Sequence, residues 1–150
     1  MSSLAEAIVV LATLSLGLSA GALLAEGAVL VPFWRGMTPA SFLAWYRAHA
    51  ELLFKFFGPL EIVAAGLTLA ALAAHWLTGA ASSAPLFLAA LLAVAVLLAF
   101  PLYFQKVNAS FAAGTIAPER VADELRRWAR WHWCRTGLGI GAFACAALAL

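Results

Sequence analysis

Charge is what this sequence has least of: Asp, Glu, Lys and Arg make up 11% of its 150 residues, against about 25% in ordinary soluble domains. So few charges cannot clothe a water-soluble domain of this size, and the apolar content that replaces them excludes a disordered chain. Cysteine is nearly absent as well. Cys134 and Cys145 lie in one apolar segment, about 16 Å apart along a helix axis, so they cannot bridge and read as packing residues. A disulfide-stapled secreted fold is thereby excluded. Of the three histidines, none forms a Glu-x-x-His or His-x-x-x-His pair with the spacing of a bundle metal site, and neither metal nor cofactor is expected. No internal repeat, low-complexity tract or linker divides the chain.

What fills the space is apolar: 65% of residues are hydrophobic and the mean hydropathy is +0.98. A membrane span needs about 20 mostly apolar residues, and four stretches qualify: Leu4–Pro32, Pro59–Leu77, Pro85–Phe104 and Trp133–Leu150. The first has no basic residue ahead of its apolar core, so it is expected to be a span and not a signal peptide. Between the second and third, the short run from Thr78 to Ala84 is turn-forming and makes these neighbours antiparallel. The expected fold is an all-α integral membrane four-helix bundle.

The basic residues orient it. All nine fall into two segments: Arg35, Arg47 and Lys55 between spans one and two, and Lys106, Arg120, Arg126, Arg127, Arg130 and Arg135 between spans three and four or at their edges. By the positive-inside rule both segments face the cytoplasm, which puts both termini outside and the chain in a cytoplasmic membrane. The basic balance thus reflects topology and calls for no nucleic-acid partner. Trp34, Trp45, Trp128, Trp131 and Trp133 crowd the same interface as an aromatic belt, while Trp76 beside His75 marks the opposite edge. Thr38 is placed to cap a helix that opens at Pro39 and runs through Trp45, Phe54 and Phe57 as an interfacial segment toward span two. Ala117–Pro118–Glu119 opens another helix that continues into span four.

The informative residues are the polar ones that did not go to a loop. Glu26 lies six residues before Pro32, roughly 9 Å inside the cytoplasmic boundary. It comes late in its helix, where the dipole disfavours an anion, so it pairs with Arg135 or Arg35 or is protonated. Glu61 either occupies the dipole-favoured first turn of a helix starting at Pro59 or belongs to a functional layer. Asn108, with Tyr103 and Gln105, closes span three, and it either bonds between helices or contributes to that layer. Trp128, His132 and Arg135 share one face of span four, and His49 lies in the interfacial helix. Each helix therefore brings a polar side chain to one level, while the outer half holds only small Ser and Thr residues. Gly17-x-x-x-Gly21 and Gly137-x-x-x-Gly141 permit close helix approach, inside the bundle or between copies in a homo-oligomer. Pro101 frees the carbonyl of Leu97 and predicts a kink beneath the polar layer.

Pro101–Leu102–Tyr103–Phe104–Gln105–Lys106–Val107–Asn108 and Trp128-x-x-x-His132-x-x-Arg135–Thr136 resemble the end of span three and the entry to span four in the anthrone oxygenase-like family of small four-helix membrane proteins. The first half fits more loosely, through Gly17 to Gly21 and Val31–Pro32–Phe33–Trp34. That resemblance implies oxidation of an anthrone carbon to a quinone by dioxygen, without a cofactor. It would make His132 the base, Arg135 and Asn108 the donors to the developing oxyanion, and Trp128, Tyr103 and Phe104 the aromatic walls. Glu26, Glu61 and His49 would complete the substrate-binding layer. The same layer would serve a membrane-embedded module that binds a quinone, lipid or other hydrophobic small molecule without turnover. A structural accessory subunit would use Glu26 and Arg135 only as a staple. Proton-coupled transport would need polar residues across the outer half, and those are scarce.

Overall fold

The computed structural model describes residues 3–77 and 84–150, and every regular element among them is helical. Helix α1 (Ser3–Ala25) runs through a π-helical turn (Glu26–Leu30) into α2 (Val31–Arg35). Helix α3 spans Pro39–Leu77, and α4 (Ala84–Ala99) passes through a second π turn (Phe100–Phe104) into α5 (Gln105–Ala113). Helix α6 spans Pro118–Ala147. End to end these make four rods among the described residues. The short loop expected over 78–84 falls, but for Ala84, outside them.

Three rods, Leu4–Arg35, Pro39–Leu77 and Ala84–Ala113, are long and apolar enough to cross a membrane. The fourth departs from the span expected over 133–150. Charges recur in α6 from Glu119 to Arg135 and the helix stops at Ala147, which leaves little more than three apolar turns. The first rod packs against α3 and α6, and α4 closes the circuit by packing against the same two.

Capping follows the sequence. The Thr38 hydroxyl accepts the Ser41 backbone N–H at 3.2 Å and Pro39 is the first residue of α3. Ala117 is extended ahead of Pro118, as a residue before proline prefers, and α6 starts there. Gly114 ends α5 in the left-handed region at φ 66°. There the Arg47 guanidinium donates to the carbonyls of Ala112 (3.1 Å) and Ala113 (3.3 Å), so this cation serves a helix C-terminus.

Two differences from expectation matter for the site. Pro59 does not start a helix. Helix α3 runs unbroken through it for 39 residues, so the interfacial segment and span two are one rod and Glu61 is mid-helix, without dipole support. At Pro101, where a kink is expected, the rod holds a π turn, in which the Gln105 N–H reaches the Phe100 carbonyl. The same happens ahead of Pro32, where the Val31 N–H reaches the Glu26 carbonyl.

The interior is divided in two. Trp34, Phe42, Tyr46, Phe104, Phe111 and Trp128 form an aromatic cluster at the basic end. The other half is close-packed on alanines such as Ala12, Ala65, Ala89, Ala93 and Ala142. Small side chains let backbones approach, which is how helices associate where no hydrophobic drive separates them from lipid. Buried Thr13, Ser15 and Thr68 there hydrogen-bond to carbonyls of their own helices and offer nothing to a solute. Leu11, Leu14, Leu18, Leu69, Leu91 and Leu98 instead point outward.

Candidate binding site around Arg135

Arg135 lies in the middle of α6 with only 6% of its surface exposed, so its charge must be met from within. Nη2 is 3.2 Å from Glu26 Oε2, and Nη1 is 3.2 Å from Glu61 Oε1. The guanidinium also lies over the Phe104 ring, 4.4 Å from its centroid. Glu26 opens the first π turn and Phe104 closes the second, so both irregular turns deliver a side chain to this one cation. Of the two acids, only Glu26 is well placed to accept. Glu61 Oε1 lies off the hydrogen-bonding direction of Nη1, and Arg135 Nε has no acceptor. Two buried carboxylates thus share one guanidinium, with hydrogen-bonding capacity left over.

His132 stands behind this pair. Its Nε2 is 2.8 Å from the Leu23 carbonyl, which can only accept, so the tautomer carries hydrogen there. Nδ1 is then the acceptor for Arg135 Nη2 at 3.2 Å. Trp128 stacks on the ring one turn earlier, with centroids 5.0 Å apart and an 8° tilt. Gly27 leaves room for the imidazole against the first rod: a Cβ there would sit 3.1 Å from the imidazole and from the Trp133 ring.

A cavity of about 470 Å³ opens beside the ion pair, between α3 and the rod that contains α4 and α5. Glu26, Glu61, Arg135, Tyr46, Asn108 and Gln105 give it a polar end. Leu53, Phe54, Phe57, Ile62, Leu97 and Phe100 are among its apolar walls. Phe54 and Ile62 line it while more than half exposed, so it opens to the outside between the rods. The size and the few convergent polar groups are those of a small-molecule site. Trp128 Nε1 donates to Asn108 Oδ1 at 2.9 Å, which leaves the Asn108 amide hydrogens for another partner, and the Tyr46 hydroxyl makes no hydrogen bond among the described residues.

The sequence-predicted residues divide accordingly. Glu26, Glu61, Arg135, Asn108 and Trp128 line the cavity, and Phe104 supports Arg135 from below. His132 is fully buried and does not reach the cavity wall. Tyr103 turns away, donating to Glu124 at 2.7 Å and stacking on Trp131. His49 stacks on Trp45 with its Nδ1 2.7 Å from that residue's carbonyl oxygen. Arg35 takes no part in the Glu26 pair. Sequence reasoning missed Leu97 and Phe100 of the neighbouring rod and, on α3, Tyr46, Leu53, Phe54, Phe57 and Ile62, which a continuous helix turns toward the cavity. Among the described residues no group of three or more His, Cys, Asp or Glu side chains is placed to hold a metal ion. Cys134 and Cys145 are free thiols.

Comparison with family models, with curated proteins and with solved structures gives no match for this chain.

Proposed function

We propose that the chain is a small integral membrane protein, its basic segments cytoplasmic and both termini outside, that binds a hydrophobic ring compound bearing a hydroxyl or carbonyl edge. The observation that carries this reading is the cavity itself: apolar walls that open between the rods, and a polar end where the Asn108 amide hydrogens and the Tyr46 hydroxyl are unspent among the described residues. A phenol or quinol would donate to Glu61, and a ring carbonyl would accept from the Asn108 amide. Phe54, Phe57, Phe100 and Trp128 would cover the ring faces. Such a molecule partitions into the bilayer and would enter sideways. Trp128 reports on the test: titration of purified protein with a dihydroxyanthraquinone should quench tryptophan fluorescence saturably. Quenching that grows without limit, as simple partition into detergent does, would contradict the reading.

A second reading, the anthrone-type oxygenase, is favoured by one observation: Arg135 and Asn108, the expected oxyanion donors, both stand at the cavity wall. In that reaction the anthrone carbon loses two hydrogens and gains one oxygen atom of dioxygen, while the second leaves as water. With His132 set behind Arg135 and both its ring nitrogens engaged, the carboxylates are the nearer proton acceptors. Oxygen uptake with an anthrone, matched by quinone formation and lost in Arg135→Ala, would support catalysis. Uptake at the spontaneous rate would leave binding alone.

A further inference from the structure

A second recess, of about 540 Å³, lies on the opposite side of α6 from the cavity residues Trp128 and Arg135. Asp123, Arg126, Arg127 and Arg130 follow the i, i+3, i+4, i+7 spacing that puts them on one helix face, and Arg35 faces them from the end of α2. Four guanidiniums therefore line this recess with one carboxylate. Arg126 is bonded to Asp123, and Arg127 is 3.8 Å from Glu124. Arg35 and Arg130 have no carboxylate partner among the described residues. Like charges held together without neutralisation repel, and an anion bound among them removes that cost.

The recess is also graded along its length. Trp133 closes it at the end nearer the membrane interior, where its ring packs close to Gly27. Beyond it the same face of α6 continues through exposed Cys134 and Gly137, a smooth apolar track with nothing charged on it. Cations, then an interfacial indole, then an apolar track is the polarity of a phospholipid standing in one leaflet.

We infer that the recess between Arg35 and the Arg126–Arg130 face of α6 is a binding site for the phosphate headgroup of an anionic phospholipid, with an acyl chain lying past Trp133. Arginine suits the role, since its planar fork donates two hydrogen bonds to one phosphate. The site rests on the membrane reading but is independent of the Arg135 cavity.

The test uses the full chain purified in detergent and titrated with phosphatidylglycerol or phosphatidylcholine, with bound lipid counted by native mass spectrometry. Wild type should prefer phosphatidylglycerol. Arg35→Gln/Arg130→Gln should lose about tenfold of that affinity, since each arginine near an anionic headgroup is worth about a fewfold in binding. Neither side chain has an ion pair among the described residues, so folding should be untouched, and unchanged dihydroxyanthraquinone binding would show it. Arg120→Gln, outside the recess, should keep the preference. Millimolar inorganic phosphate should displace little of the lipid. Equal binding of the two lipids, an unchanged preference in the double variant, or full displacement by inorganic phosphate would each overturn the assignment.

Discussion

Arg135 joins four parts of the chain: Glu26 of the first π turn, Glu61 of α3, Phe104 of the second π turn and His132 of its own helix. A cation so placed is costly to remove, because the acids left behind are buried without a partner. Arg135→Met should destabilise the protein by about 3–5 kcal/mol, read from thermal unfolding in detergent. Glu26→Gln should cost less, since Arg135 keeps Glu61. Adding it to Arg135→Met should recover part of the loss. Equal losses in Arg135→Met and the double variant would mean that the pairing energy lies elsewhere. Gly27→Ala tests the neighbouring contact: a methyl group 3.1 Å from His132 and Trp133 forces both rings outward, at about 1–3 kcal/mol. An unaltered melting temperature would show that the rings give way freely.

At the scale of elements, the polar layer was legible and the cavity was not, for physical reasons. Ionisable groups in apolar segments are rare, so Glu26, His132 and Arg135 stood out, and the helical period alone put Trp128, His132 and Arg135 on one face. Side-chain direction across a bundle is a different matter. Tyr103 and His49 lie at the expected depth yet turn to Glu124 and to Trp45, and depth carries no information about rotation. Most of the missed residues belong to α3, whose binding face appears only if Pro59 is allowed inside a helix. Pro59 removes a hydrogen bond from a rod that stays helical, so Pro59→Ala should stabilise α3 by up to about 3 kcal/mol. A lower melting temperature in that variant would mean that the proline sets a bend the cavity needs. The glycine pairs were half informative. Gly17 and Gly141 face Phe143 and Leu92 of neighbouring helices, whereas a Cβ at Gly21 or Gly137 would meet nothing.

Across the whole molecule, polar and aromatic groups gather at the basic end and alanine packing fills the other, so a solute can enter one half without a path through the second. This asymmetry suits binding or chemistry within one leaflet and disfavours transport by a single copy. It also predicts topology. In a cysteine-free background, a thiol placed at Leu150 should react with an impermeant reagent added outside cells, and one at Lys106 should react only after the membrane is opened. The reverse pattern would invert the proposed orientation.

The space beside Arg135 either takes up a ring compound or is a packing void. The most direct measurement is to titrate dihydroxyanthraquinone into wild type and into Ala109→Phe, which puts a ring into the cavity from its α5 wall, with Arg35→Gln/Arg130→Gln as the control. One saturable site in wild type and control, weakened at least tenfold in Ala109→Phe with the fold retained, is the predicted result. Identical curves for all three proteins would contradict it and leave Arg135 and its acids as a structural staple.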